Sequence, residues 1–306
     1  MTDQQPFEWP ESVWRSHVEK VRAGASLLDA DTHPRWPGGA TCAVALSFDS
    51  DHETPYLRDG MTTPGSMAQG EFGARVGVPR ILQLLQRYDI PATFFIPAVC
   101  ALLRPSEVPR YVEHGHEVAV HGWIHERTTM LTFEQELDLT ARAVDVLERQ
   151  SGSRPVGMRT PSWDFSDSTM RVLQELEFRY DSSLMADDEP YELVAEGRAT
   201  GIAEVPVEWI RDDAPYLLMD RFSALRPYTS PRDVAQIWID EFDAAYQSHG
   251  VFQLTLHPHI SGHRSRMRAV AQLVEHIVAT SNVWFTTHSG LVDHLAPNLS
   301  NEGIPR

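Results

Sequence analysis

The stretch Cys42-Ala-Val-Ala-Leu-Ser-Phe-Asp49-Ser-Asp51 contains an apolar run without glycine or proline, and two carboxylates follow it directly. Such a run is typical of a buried strand. Similar short runs recur along the chain, at residues 92–96, 117–120, 156–158, 202–207, 251–256 and 283–285. Between them, apolar residues recur at helical spacing, as at Val78, Ile81, Leu82 and Leu85.

Local signals mark where several of these helices begin. Thr132 and Gln135 have the spacing of a capping box, and Ser230-Pro231 has the cap-then-proline order that favours a helix start. Strands that alternate with helices imply parallel β/α units. Seven or eight such units in one chain of this length favour a single α/β domain, a distorted (β/α) barrel of about seven parallel strands. By contrast, Asp51 to Gly77 has no clear periodicity and is predicted to be a long irregular loop.

The barrel is predicted to span residues 41–306. Residues 1–40 contain Trp9, Trp14 and Trp36 together with several prolines, which indicates an N-terminal arm that packs on the barrel or on a neighbouring subunit.

Composition excludes several classes of protein. The chain has 306 residues, 42% of them hydrophobic and 23% charged, which is typical of a globular protein. Its net charge of -17 argues against nucleic acid or an anionic membrane surface as a partner. No apolar run approaches a membrane span, no secretory signal is visible, and only two cysteines are present. We therefore expect a cytoplasmic protein.

Polar residues follow four of the predicted strands, where a parallel barrel places its active site. His121 and His125 are four residues apart, so both imidazoles can face one metal, and Asp51 adds a carboxylate. Two histidines and one carboxylate leave coordination positions open, as in catalytic metal sites. The alternative is that the two histidines are unrelated structural residues.

Three further residues are candidates for proton transfer. Asp49 lies two residues from Asp51, on the same side of an extended chain, and is a candidate general base. His257 follows an apolar strand and is a candidate general acid. Arg159 would keep Asp49 ionised by pairing with it. Each of these residues also has a purely structural alternative: Asp49 could lie in a solvated acidic turn, His257 could be a core histidine, and Arg159 could form an ordinary ion pair.

In this order, the motifs resemble the polysaccharide deacetylase family, also called the NodB-homology or carbohydrate esterase 4 family. The resemblance covers about residues 42–295 and implies a distorted barrel with a divalent metal, expected to be zinc. It assigns the base to Asp49, the metal to Asp51, His121 and His125, the arginine that orients the base to Arg159, and the acid to His257.

The chain also departs from the family pattern. Ser50 separates the two aspartates, which are usually adjacent, and Gly122 stands where a serine or threonine usually follows the first metal histidine. An aromatic residue usually follows the proline of the Arg-x-Pro motif directly, but here Ser162 follows it and Trp163 comes one residue later. The stretches 71–80, 180–185 and 204–209 are similar to a branch of peptidoglycan-deacetylase-like proteins, metal-independent allantoinases and cyclic imide hydrolases. That likeness implies a homo-oligomer, specifically a tetramer, and leaves the need for metal open.

We therefore predict a hydrolase of non-peptide carbon–nitrogen bonds. Its substrate is expected to be an N-acetylated amino sugar or cell-wall fragment, or a small cyclic amide such as an imide or ureide, with Glu71, Arg75, Trp163 and Trp209 shaping the pocket. Two alternatives stay open, an allantoinase-like enzyme without metal and a catalytically inactive binding barrel.

Overall fold

The computed structural model describes residues 5–28, 35–218 and 229–300, and these contain a single ten-stranded sheet. The strands are β1 (Val21–Ser26), β2 (Cys42–Asp49), β3 (Thr93–Ile96), β4 (Glu117–Val120), β5 (Gly157–Met158), β6 (Tyr180–Asp181), β7 (Tyr191–Ala195), β8 (Arg198–Glu204), β9 (Val251–Leu256) and β10 (Val283–Phe285).

Helices cover the sheet. They are α1 (Glu11–Val18), α2 (Thr54–Arg58), α3 (Pro64–Phe72), α4 (Val78–Tyr88), α5 (Ala98–Leu103), α6 (Glu107–Glu113), α7 (Phe133–Ser151), α8 (Thr169–Glu175), α9 (Ala214–Leu217), α10 (Pro231–Gln247), α11 (Pro258–Ser261), α12 (Arg264–Ala279) and α13 (His288–Leu295). Within the three described ranges, no helix is both long and apolar enough to cross a membrane.

The sheet is curled and mostly parallel. Its strand order is β1-β7-β8-β6-β5-β4-β3-β2-β10, and β9 also pairs with β2. The Ser50 amide donates to the carbonyl oxygen of Phe95 in β3, and the Val44 carbonyl oxygen accepts from the amide of Thr286, which follows β10. The Ala43 amide instead donates to the carbonyl oxygen of Gly250, which precedes β9. Since alternate residues of a strand bond to opposite sides, β3 and β10 share one side of β2 and β9 takes the other. Asp212, in the segment between β8 and β9, forms an isolated parallel bridge with Thr255 of β9.

This architecture confirms the predicted α/β fold with a distorted parallel barrel. The apolar run at 42–48 is the central strand β2, and every residue of β2 is buried. The predicted capping box is present, since Thr132 accepts from the Gln135 amide while the Gln135 side chain accepts from the Thr132 amide. The hairpin of β7 with β8 and the antiparallel addition of β1 were not anticipated.

The prediction of an irregular loop from Asp51 to Gly77 is wrong. This segment contains α2 and α3 and then a π-helical turn, Gly73–Gly77, that leads directly into α4. Its glycines permit close packing rather than irregular backbone. A Cβ atom at Gly70 would lie 2.4 Å from the His52 backbone, and one at Gly77 would lie 2.2 Å from the Pro258 carbonyl oxygen. The helix can therefore pass directly over the backbone next to two of the predicted site residues.

The described part of the N-terminal arm lies along the sheet. Strand β1 pairs with β7 in antiparallel register, and Trp36 is buried against Trp284 and His294. Helix α1 has no buried residue. The boundary of the arm at residue 40 stays a prediction, and residues 1–4 and 29–34 lie outside the described ranges.

Candidate active site

The carboxyl ends of four parallel strands bring the predicted polar residues together. Asp49 ends β2, His121 follows β4, Arg159 follows β5 and His257 follows β9. Asp49, His121 and His257 line a cavity of about 360 Å³, together with Asp51 and His125. Arg159 lies behind the cavity, fully buried against Asp49.

Asp51, His121 and His125 form a buried group whose side-chain atoms lie close enough together to hold one metal ion. One oxygen of Asp51 lies 3.4 Å from His121 Nε2, and the other lies 3.4 Å from His125 Nε2. Asp51 Oδ1 is buried and has no hydrogen-bond partner among the described residues. Burial raises the pKa of Asp51 to about 8, against the opposing charge of His257. A divalent cation would satisfy the orphaned oxygen and keep this carboxylate ionised, so the set fits a divalent metal.

The hydrogen bonding of His121 suits metal ligation through Nε2. Its Nδ1 lies 2.8 Å from the carbonyl oxygen of Arg159, which can only accept. Burial lowers the pKa of His121 to about 4, so the ring is neutral with its lone pair on Nε2. This is the arrangement in which a ligating histidine is fixed by its second nitrogen. His125 has a different neighbour at Nδ1, the guanidinium of Arg58, at 3.0 Å.

Arg159 fixes the Asp49 carboxylate by hydrogen bonds and by its charge. Its Nη1 donates to Asp49 Oδ1 at 2.7 Å and to Ser47 Oγ at 2.9 Å, while Nε and Nη2 donate to Ser182. Burial alone would raise the pKa of Asp49, but the charge of Arg159, with smaller effects from His121 and His257, lowers it below the usual value. Asp49 is therefore ionised at neutral pH.

His257 is paired with an aspartate that the sequence interpretation did not select. Nδ1 of His257 lies 2.6 Å from Asp213 Oδ1, and its Nε2 faces Asp49 and Asp51 at 3.9 and 3.7 Å. Burial alone would lower the pKa of His257, but Asp213 and then Asp212 raise it well above the ordinary value. His257 therefore carries a proton that it can donate into the cavity. The Asp-Asp pair follows the strand predicted at 202–207, so the same strand-end argument could have suggested it.

Comparisons with known proteins agree with this geometry. The sequence profile of the family described as Polysaccharide deacetylase matches residues 43–180. A peptidoglycan deacetylase from Helicobacter pylori is 30% identical over 277 residues, which cover 82% of this chain and 94% of that protein. The chain belongs to the polysaccharide deacetylase family. It is therefore a hydrolase of carbon–nitrogen bonds other than peptide bonds.

Solved structures of related proteins have the same fold. A proposed polysaccharide deacetylase from Mycobacterium smegmatis superposes with a TM-score of 0.81 at 33% identity, covering 94% of this chain and 99% of that one. The allantoinase Puue superposes with a TM-score of 0.78 at 23% identity, covering 90% of this chain and 96% of that one. The latter likeness shows the fold alone.

One departure from the deacetylase family pattern has a structural explanation. Gly122 has a φ of +73°, in the left-handed region, and a Cβ there would lie 2.8 Å from the Pro161 side chain and 3.0 Å from the Glu126 carboxylate. A serine or threonine would therefore be strained at this position. The buried carboxylate of Glu126 instead accepts from the amides of Trp123 and Ile124, at 2.7 to 3.0 Å. Glu126 thus holds the loop that carries both histidines.

The four residues predicted to shape the pocket fall into two groups. Trp163 and Trp209 pack with ring centroids 4.2 Å apart and both line the cavity. Glu71 and Arg75 are exposed and line a separate cleft on the other side of α3 and the π-helical turn. They project outward because the glycine side of this helix packs inward. The cavity wall on this side is formed by Tyr56, Arg58 and neighbouring residues of α2 instead.

Proposed function

We propose that this enzyme hydrolyses the amide bond of a compact substrate with the help of a divalent metal, expected to be zinc. The observation that carries the proposal is the convergence of an ionised carboxylate, a protonated imidazole and a three-ligand set in one cavity. A metal held by Asp51, His121 and His125 would supply Lewis-acid polarisation of the amide carbonyl.

The remaining steps belong to the chain's own side chains. Asp49, kept ionised by Arg159, takes a proton from the attacking water. His257, held by Asp213, gives its Nε2 proton to the departing nitrogen. Ser162 lines the cavity where the chain turns with a φ of 56°, and a backbone amide near this residue would stabilise the oxyanion.

The size and lining of the cavity favour a small substrate. About 360 Å³ lies at the lower end of small-molecule sites, which run from roughly 300 to 1,000 Å³. Apolar side chains form much of its wall, including Met61, Trp163, Trp209, Leu218 and Ile260. A single N-acetylated amino sugar fits the family, and a cyclic imide or ureide fits the apolar walls. Residues 219–228, which follow the lining residue Leu218, lie outside the described ranges.

A metal and substrate assay separates these possibilities. Purified protein is analysed for bound metal and then assayed for acetate release from N-acetylated amino sugars and for ring opening of cyclic imides and ureides. We expect close to one divalent ion per chain and turnover of one substrate class. Full turnover by metal-free protein would instead favour the metal-independent alternative, and no turnover of any amide would favour the inactive barrel.

Two variants assign the roles of the paired aspartates. Asp49→Asn is expected to keep the metal and lose about 10²- to 10⁴-fold in kcat, because an amide cannot accept the proton. Asp51→Asn is expected to lose both metal and activity, since two histidines alone hold a divalent ion poorly. Near-normal turnover by Asp49→Asn would show that another group is the base.

Two coarser expectations also stay proposals. Both cysteines, Cys42 and Cys100, are unpaired and buried, which supports a reducing compartment such as the cytoplasm. The exposed Phe7, Trp14 and Val18 of the N-terminal arm support self-association as a homo-oligomer.

A further inference from the structure

The two histidines of the proposed metal set have opposite neighbours at Nδ1. For His121 the neighbour is a carbonyl oxygen, that of Arg159, which accepts the Nδ1 proton. For His125 it is Nη1 of Arg58, 3.0 Å away. A guanidinium has five N–H donors and no acceptor, so His125 Nδ1 must be the acceptor. Neutral His125 therefore carries its proton on Nε2, the nitrogen that faces Asp51 at 3.4 Å.

The Arg58 guanidinium is fixed in this position. Nε and Nη2 donate to the two carboxylate oxygens of Asp59, each at 3.1 Å, and Nη1 also donates to the carbonyl oxygen of His125 at 3.0 Å. The Arg58 side chain is only 17% exposed. The backbone of His125 has a φ of 60°, an unusual conformation that this bond to its carbonyl helps to hold. Arg58 is thus anchored on both sides of the contact with Nδ1.

We propose that Arg58 locks His125 in the Nε2–H tautomer and thereby weakens metal binding at this site. The inference rests on the metal set of the proposed function. Ligating histidines normally donate their second N–H to a carboxylate or a carbonyl, as His121 is placed to do. To ligate through Nε2, His125 has to move its proton to Nδ1, and the Arg58 Nη1–H bond to Nδ1 has to break. This change of tautomer costs free energy, so the site binds metal less tightly than it would if His125 already carried its proton on Nδ1.

The tautomers can be measured without metal or substrate. Long-range ¹H–¹⁵N spectra of histidine-labelled, metal-free protein distinguish the two neutral tautomers, and His121→Gln and His125→Gln variants assign the signals. We expect opposite tautomers, Nδ1–H for His121 and Nε2–H for His125. An Nδ1–H tautomer at His125 in the wild-type protein would overturn the proposal, whatever substrate the enzyme proves to hydrolyse.

Metal titration tests the consequence. In Arg58→Gln the amide oxygen can accept a proton from Nδ1, so Zn²⁺ and Co²⁺ should bind about 10- to 100-fold more tightly by calorimetry, the range expected for an outer partner of a ligand. Arg127 is the matched control, because it also pairs with Asp59, at 3.5 Å, but does not contact the His125 ring. Arg127→Gln should change the affinity by less than about twofold, since exposed ion pairs contribute little.

The outcomes are distinct from those of the activity assays. Tighter metal binding by Arg58→Gln alone supports the proposal. Unchanged or weaker binding by Arg58→Gln, or an equal gain in Arg127→Gln, overturns it, because the first shows no obstruction and the second shows only a general effect of charge. Neither result depends on which amide is the substrate.

Discussion

Replacing Asp213 by asparagine tests how His257 acquires and holds its proton. Asp213 uses both carboxylate oxygens: Oδ1 accepts the Nδ1 proton of His257 at 2.6 Å, and Oδ2 accepts from the His257 amide at 3.0 Å and from Ser261 Oγ. Asparagine has only one acceptor oxygen. Whichever way its amide turns, an N–H group then faces a group that also donates.

The size of the effect follows from the bond that is lost. A hydrogen bond to a charged group contributes about 1.5 to 3 kcal/mol. If that stabilisation is needed when the acid acts, kcat should fall by roughly 10- to 150-fold, at about 1.4 kcal/mol for each factor of ten. Asp212→Asn should cost less, because Asp212 lies 3.7 Å from Nδ1 and acts mainly through its charge.

The pH dependence gives the sign of the change. Asp213 is the largest influence that raises the pKa of His257 against burial. Activity that needs protonated His257 falls as the pH rises through this raised pKa. In Asp213→Asn the pKa of His257 is lower, so the alkaline fall of kcat/KM should begin at lower pH. The lost stability should be greatest below the unfolded pKa of histidine, about 6.5, and should disappear above the raised folded value.

The assay compares kcat, kcat/KM across pH and thermal unfolding for each variant. Asp243→Asn is the matched control, since Asp243 makes an Asp–His bond of 2.7 Å to the partly exposed His276, and neither residue lines the cavity. It should leave all kinetic values unchanged. If Asp213→Asn kept kcat within about threefold and its pH profile matched the wild type, the role of Asp213 in holding the His257 proton during catalysis would be refuted.

Two further predictions concern packing. Gly77→Ala should cost about 1 to 3 kcal/mol in the free energy of unfolding and reduce activity, because the new Cβ would meet the Pro258 carbonyl oxygen next to His257. The control is Gly65→Ala, which has open space around it and should be neutral or stabilising by up to about 1 kcal/mol. Chemical denaturation measures both changes. Burial raises the pKa of Cys42 to about 12 and the pKa of Cys100 well above its usual value. Neither thiol should therefore react with a maleimide at pH 8 until the chain is unfolded. Rapid labelling of the native protein would contradict the buried placement of the two cysteines.

Much of the barrel and most of its catalytic residues could be predicted from the sequence. Buried strands appear as short apolar runs, as in β2, and parallel strands place their carboxyl ends at one rim. Asp49 and Arg159 therefore meet in the structure although 110 residues separate them. The start of α7 at Thr132 also depends only on residues within one turn of it.

Contacts that depend on the path of a connecting segment required the tertiary structure. Asp213 meets His257 because the chain after β8 passes beside β9, and Arg58 meets His125 because α2 returns over the cavity. No local pattern specifies either contact. The sequence equally contains Gly70 and Gly77 without showing what they approach. Because these glycines contact the backbone of His52 and Pro258, one side of α3 and of the π-helical turn after it faces inward. Glu71 lies on the opposite side, which faces solvent in a packed helix, and so it stays outside the cavity.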